Sequence, residues 1–513
     1  MTETVIFLGT IAVTLVITYL AARRSRSRAD MYSAGSRLTG IQNGWAVSGD
    51  FMSATTFLGL TGLYFAGGVD VAIYFLTPLA GFCVMMLVIV VPLRRLGRFT
   101  LGDVIQAKLP STHLRVFVAL ATIIISLVYL IAQLVGAGTL ISILFDIDYI
   151  VAVAIISMLM TTYVAFGGML ATSWVQIVKA AFLVVSAAVL AGLCLVELGG
   201  ISELYRRAEA AYPKGSALFL PGGMSMSAFD SISLTVGLVL GMAGMPHLLI
   251  RFFTVPNESE ARKSIVTASF IVAAVFLMLF VIIAPGAVAL VTGDPRFTGA
   301  QGEVLGGTNM VIMHLSRALG GEVLFGVLSA AAFATILAVV SGLTIAIASA
   351  AGNDLYRTFR KHVGEEPAEE RGELTVFRAM CGATAVVAAG LAIVCKDQNV
   401  AFLTAMAFSV AASANFPVLV LVLYTRSTTA FGAFVGGMVG LFSSVTLIIL
   451  GPGVWVKVLG NAAPVFPLEF PALLCAPMAV IVSIVVSAWA PEKGSQAVRA
   501  GEASRKLINK TSG

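Results

Sequence analysis

The stretch GWAVSGDFMSATTFLGLTGLYFA, residues 44–66, is long and apolar enough to cross a bilayer, which takes about 20 mostly apolar residues in a helix. Yet Ser48, Gly49, Asp50, Ser53, Thr55, Thr56, Gly59 and Gly62 fill it with hydroxyls, glycines and one carboxylate. So polar a run makes poor lipid-facing surface and suits a helix that unwinds inside a bundle. Unwinding frees backbone carbonyls and hydroxyls to coordinate a small cation, and the helix ends offer a dipole to an anion. Close packing through small residues is the plainer account of the glycines and serines. It leaves Asp50 unexplained, because a carboxylate is costly in lipid and normally faces protein or water.

The rest of the chain supplies the setting. Of 513 residues, 58% are hydrophobic and 11% are charged, whereas a soluble domain carries about 25% charged residues. This excludes disorder and a coiled coil. The 50 glycines follow no three-residue period and proline numbers only 17, which excludes collagen. What remains is an all-α polytopic membrane protein. About thirteen spans are expected, near 4–22, 44–66, 70–92, 115–142, 149–167, 172–196, 231–252, 265–290, 318–350, 376–394, 400–424, 429–450 and 468–489, with 115–142 and 318–350 long enough to be tilted or broken. Arg23, Arg24, Arg26 and Arg28 follow the first apolar run, and no positive charge precedes it. That order predicts an uncleaved first helix with its N-terminus outside. On this topology most of the 32 lysines and arginines, Arg251 among them, fall on the cytoplasmic side with the C-terminus. The net charge of +6 therefore needs no nucleic acid. Cys83, Cys194, Cys381, Cys395 and Cys475 lie apart in apolar stretches and read as packing residues. Of the two long outer loops, 197–230 and 291–317, the first is predicted to hold a surface helix over 201–211. Either loop could shade an outer vestibule or be an inert connection.

A second break is expected in span 231–252, where Gly237, Gly241, Gly244 and Pro246 are followed by His247. Proline removes a backbone donor and crowds the preceding turn. If spans two to six form one unit and spans seven to eleven another, each broken helix comes first in its unit and the two run in opposite directions. That pattern marks an inverted-repeat secondary transporter with its site where the broken helices meet. The expected organisation is a first helix and basic loop (1–43), a first repeat (44–196), an outer loop (197–230), a second repeat (231–424), two additional helices (425–490) and a cytoplasmic tail (491–513). In span 318–350, Ser341 and Thr344 stand one helical turn apart and could offer oxygens to Na+, although back-bonding to the preceding turn is the commoner fate of such hydroxyls. Lys179, inside a span, either pairs with a carboxylate or snorkels. The chain has no GxxxxGK[ST], HExxH or CxxCH, and His113, His247, His314 and His362 are scattered. Neither a P-loop pump nor an enzyme is expected.

Four segments carry a resemblance: AGSRLTGIQNGWAVSGDFMSATTFLGLTG (34–62), YVAFGGMLATSWVQIVKA (163–180), GMAGMPHLLIRFFTV (241–255) and LSAAAFATILAVVSGLTIAIASAAGNDLY (328–356). Together they resemble the sodium:solute symporter family over roughly 4–490, and within it the bacterial cation/acetate symporters. The resemblance implies a LeuT-type five-plus-five inverted repeat with broken first helices. It implies Na+ or H+ as co-substrate, no resident cofactor, and a short monocarboxylate as solute. The lipid bilayer is then the surrounding partner, with no obligate protein partner, in a bacterial inner membrane. By position, the conserved Na+ would lie between the first broken helix, at Ser48, Asp50, Phe51 and Ser53, and Ala338 and Ser341; where relatives often carry a second hydroxyl this chain has Gly342, so either one ligand is lost or Thr344 substitutes. The solute would be met near Thr55, Thr56, Gly241, Met242 and Gly244, where helix-end dipoles can hold a carboxylate without a paired arginine. Where relatives carry an acidic residue two positions after the motif tryptophan, this chain has Trp174, Val175, Gln176, which implies one coupled cation per solute. Other small solutes, such as proline or pyruvate, remain alternatives, with a sensor or channel behind them.

Overall fold

The computed structural model describes residues 37–96, 101–166, 169–363 and 370–490, with 4–9, 12–13 and 16 of the first apolar run. Most of the expected first helix, the arginine cluster at 23–28, the Gly167–Gly168 doublet and the tail from 491 lie outside them. Ten helices among the described residues are long and apolar enough to cross a membrane. The expected count of thirteen differs for three reasons. The first apolar run lies largely outside the described residues. Spans 44–66 and 70–92 share one continuous apolar stretch, Thr55–Leu96. The third difference is Tyr149–Thr161, which counts as a shorter apolar helix. Apart from an isolated bridge between Thr298 and Val304, regular structure here is helical.

Both broken helices are broken. Helix α1 (Gly40–Phe51) opens on a capping box, with Thr39 Oγ1 accepting from the Gln42 amide and Gln42 Oε1 accepting from the Thr39 amide. It stops because Met52 is extended, at φ −72° and ψ 97°. The chain resumes in a π-helical turn, Thr55–Gly59, and continues as α2 (Leu60–Gly67). Helices α3 (Thr112–Phe145) and α4 (Met169–Leu198) follow. Further on, α5 (Ala228–Met242) ends at the glycine turn, and Met245 is extended at ψ 116°. Pro246 then opens α6 (Pro246–Ile250) rather than kinking a continuous helix. It tolerates that first position because the missing N–H has no partner to lose there.

Helix α7 (Glu258–Met278) precedes α8 (Val311–Ser349). Gly320 and Gly321 interrupt α8, and Gly321 sits at φ 59°, a conformation glycine adopts without strain. The expected span 318–350 is the part of α8 beyond that interruption. Helices α9 (Val400–Ser413) and α10 (Asn415–Tyr424) meet at Ala414. In the packed bundle α1 lies against α4, α7 and α8, α5 against α9, and α3 against α8 and α9. Glycines set the closest approaches. A Cβ on Gly49 would lie 2.4 Å from the Gln176 carbonyl oxygen of α4, and one on Gly241 would lie 2.1 Å from the Phe408 carbonyl oxygen of α9. The loop 197–230 does contain a helix, Ile201–Ala211, with Leu204 and Ala208 buried. Asp70 anchors the following turn by accepting from the Gly222 and Met224 amides at 2.9 and 3.1 Å.

Candidate functional site

The polar contacts gather where α1 and α5 break. At the first break the last carbonyls of α1 lose their helical donors. The Ser48 carbonyl keeps its helical donor, the Met52 amide, whereas the Gly49 carbonyl accepts instead from Lys179 Nζ on α4 at 2.5 Å. Ser53, fully buried in the unwound segment, has its hydroxyl 3.1 Å from the Tyr129 hydroxyl and receives Gln133 Nε2 at 3.4 Å. Gln133 Oε1 in turn accepts from the Ala54 amide at 3.3 Å. Side chains of α3 therefore hold the unwound backbone in place, and the sequence reading had not included Tyr129 or Gln133.

Below that segment lies a buried ionic cluster. Asp50 is 1% exposed, and so is Arg251, which follows α6. Arg251 Nε donates to Asp50 Oδ2, and Arg251 Nη2 donates to Oδ1 at 3.2 Å. Arg251 Nη1 donates to Ser173 Oγ at 2.6 Å. Gln176 donates through Nε2 to Asp50 Oδ1 and accepts from Lys179 Nζ at 2.8 Å through Oε1. Arg251 is thus no loop residue of the cytoplasmic surface, where the charge tally had placed it. It is drawn inward because the carboxylate of the other broken helix requires a partner in a low-dielectric interior. Nor does Lys179 snorkel: it is buried and bonded to a backbone carbonyl. The cluster joins α1, α4 and the segment after the second break, with Asp50 engaged by Arg251 and Gln176.

Beside it runs α8. Ser341 and Thr344 are buried, and each hydroxyl donates to the preceding turn, Ser341 Oγ to the Ala338 carbonyl at 2.7 Å and Thr344 Oγ1 to the Val340 carbonyl at 2.8 Å. Ser48 Oγ does the same toward the Gly44 carbonyl at 2.8 Å. A hydroxyl that has given its proton to a carbonyl turns only lone pairs elsewhere, so back-bonding leaves Ser341 and Thr344 able to act as cation ligands. Gly342 faces Asp50: a Cβ there would sit 3.7 Å from Asp50 Oδ1.

Beside the cluster is a small cavity of about 30 Å³. Its polar wall comes from Thr55, Thr56, Tyr74, Tyr129 and Thr404, and its apolar wall includes Phe51, Phe276 and Phe408. Thr55 Oγ1 and Thr404 Oγ1 lie 2.5 Å apart, linking the first broken helix to α9. No side chain in the wall is ionised at neutral pH. Thr55 and Thr56 therefore line the space. Gly241, Met242 and Gly244 do not: Gly241 and Gly244 face the α9 backbone, and Met242 packs on Gly81. Leu238, one turn earlier in α5, is the lining residue on that side. Thr404 was legible only as a lone hydroxyl in an apolar run.

Comparison with known proteins gives two findings. The model of the sodium:solute symporter family matches residues 31–440. Among solved structures the chain is similar to the substrate-bound outward-open state of a Na+-coupled sialic acid symporter. The TM-score is 0.76 at 16% identity, over 96% of this chain and 98% of that one. It is also similar to a nucleobase-cation-symport-1 family transporter in a closed conformation with bromovinylhydantoin bound, at a TM-score of 0.49 and 10% identity over 90% and 94% of the two chains. At such identity the first of these likenesses speaks for fold alone, and the fold is the LeuT type expected from the sequence.

Proposed function

Because this chain belongs to the sodium:solute symporter family, it is a cation-coupled solute symporter of the membrane and not an enzyme, and we propose that it couples entry of Na+, or H+, to uptake of a short-chain monocarboxylate, with acetate the leading choice. The observation that carries this reading is the cavity beside the first break, small and walled by threonine and tyrosine hydroxyls among aromatic rings. Hydroxyls and helix ends orient a compact carboxylate, and the rings accept its alkyl end. The sialic acid symporter of like fold is Na+-coupled by its own description, which favours Na+ as the cation here.

The cation's ligands on this reading are carbonyls of the segment Ser48 to Ser53, including that of Phe51, with the Ala338 carbonyl and the hydroxyls of Ser341 and Thr344. Asp50, engaged by Arg251, orders the break from beneath. The solute sits against Thr55, Thr56 and Thr404. Cation binding between α1 and α8 orders the unwound segment, completes the solute site and favours closure, after which the carrier opens to the cytoplasm. Such coupling is reciprocal between the two ligands. One cation moves per monoanion, and no resident cofactor takes part. The N-terminus is outside and the C-terminus is cytoplasmic, in a bacterial inner membrane.

Radiolabelled uptake into proteoliposomes tests this, with acetate, pyruvate and proline compared under separate Na+ and H+ gradients. Accumulation of acetate under a Na+ gradient is the expected result. Accumulation of proline without acetate would replace the carboxylate with an amino acid, and a response to the H+ gradient alone would replace Na+.

A further inference from the structure

Among the described residues, four Asp, Glu, Lys or Arg side chains are fully buried: Asp50, Lys179, Arg251 and Asp354. Asp354 is balanced by Arg115, whose Nη2 lies 2.8 Å from its Oδ1. Asp50 and Arg251 balance each other. Lys179 forms no ion pair among these residues, and its ammonium donates to two neutral oxygens, the Gly49 carbonyl and Gln176 Oε1. His247, buried at the second break with its ring against that of Tyr129, can supply no negative charge. On α8, the neighbours Ser341 and Thr344 are neutral. With Lys179 protonated, the cluster among the described residues holds one positive charge more than it neutralises, and the adjoining cavity is the place for an anion that balances it. Gly49 and Asp50 lead directly into Phe51, which is in the cavity wall, and that wall contains no charged group of its own.

We propose that the surplus charge of Lys179 selects a monoanionic solute and makes solute and cation binding depend on each other. The inference rests on the carboxylate reading above and adds the residue that enforces it. An anion in the cavity is the counter-charge the cluster lacks. A cation entering between α1 and α8 alone adds to an unbalanced positive charge and is repelled. With the anion present, the same cation restores only the starting balance. Neither ligand then loads well without the other, which is the condition for tight coupling. A neutral solute of the same shape gains nothing from Lys179.

Lys179→Met removes the surplus, and Lys179→Gln removes it while keeping an N–H donor for the Gly49 carbonyl. A unit charge acting across roughly 10 Å at an effective dielectric near 20 alters monoanion binding by about tenfold. In proteoliposomes both variants should lower the ratio of acetate to acetamide uptake by about that factor, and Lys179→Arg, which keeps the charge, should retain the preference. In Lys179→Met, Na+ should stabilise the purified protein against heat without acetate, at a concentration about tenfold below that needed by the parent. An unchanged acetate-to-acetamide ratio overturns the proposal, as does a parallel loss of both solutes. If Lys179→Met gives no folded protein, Lys179→Gln decides alone. A parent protein that accumulates proline and not acetate refutes the carboxylate reading itself, and that result is visible before any variant is made.

Discussion

Asp50 and Arg251 show how a residue's meaning depends on its partner. In the sequence Asp50 is an expensive carboxylate in an apolar run, and Arg251 looks like one more positive charge at a helix end. Together they form a buried, multiply hydrogen-bonded pair between the end of α1 and the segment that follows the second break. Removing one partner of such a pair leaves an uncompensated buried charge and costs about 3–5 kcal/mol. Asp50→Asn and Arg251→Met should each lower the thermal stability of purified protein on that scale, and the double variant should lose less than the two losses combined. Additive losses in a double-mutant cycle would mean that the pair does not act as a unit. At Ser341 the expected effect is on coupling rather than folding. Its hydroxyl returns a proton to the Ala338 carbonyl and keeps its lone pairs, so Ser341→Ala should raise the Na+ concentration for half-maximal uptake several-fold while leaving the melting temperature nearly unchanged. Sodium dependence identical to that of the parent would remove Ser341 from the ligand set.

The two breaks are made differently, and substitutions should separate them. In α1 an extended Met52 stops the helix, and side chains of α3 take over the freed backbone. In α5 a glycine turn stops the helix and Pro246 starts the next one. Since Pro246 occupies a first helical position, Pro246→Ala gives up no hydrogen bond and loses only the restriction proline places on the unfolded chain, about 0.4–1 kcal/mol. Gly241→Ala is a different matter, because its Cβ would fall 2.1 Å from a backbone oxygen of α9 that cannot swing aside. Overpacking of this kind costs about 1–3 kcal/mol. Thermal unfolding of the two variants side by side should therefore rank the smaller glycine change as the more damaging. The reverse ranking would mean that the proline, not the close approach of α5 to α9, holds the break.

For the molecule as a whole, the testable quantity is net charge moved per cycle. Membrane potential contributes about 2.3 kcal/mol per elementary charge per 100 mV. A carrier loaded with one Na+ and one monoanion moves no charge, so imposing a potassium diffusion potential on proteoliposomes should leave initial uptake unchanged. Uptake that rises with inside-negative potential would require a second cation. The sequence by itself determined that this chain lives in a membrane, that it is helical, and that two of its helices are broken, near Met52 and near Met245. Those features follow from local composition: apolar length, and glycine, proline and hydroxyls where lipid would not tolerate them. Thr55 and Thr56 were legible for the same reason, since they lie within the break. Tertiary structure alone decided which distant side chains meet there. Arg251, Gln176, Lys179 and Thr404 reach the breaks from elements remote in sequence, and Gly241 serves helix packing instead of the cavity. A charge or a hydroxyl in a long apolar helix declares that it must face something polar, but only the packing of the other helices supplies the partner.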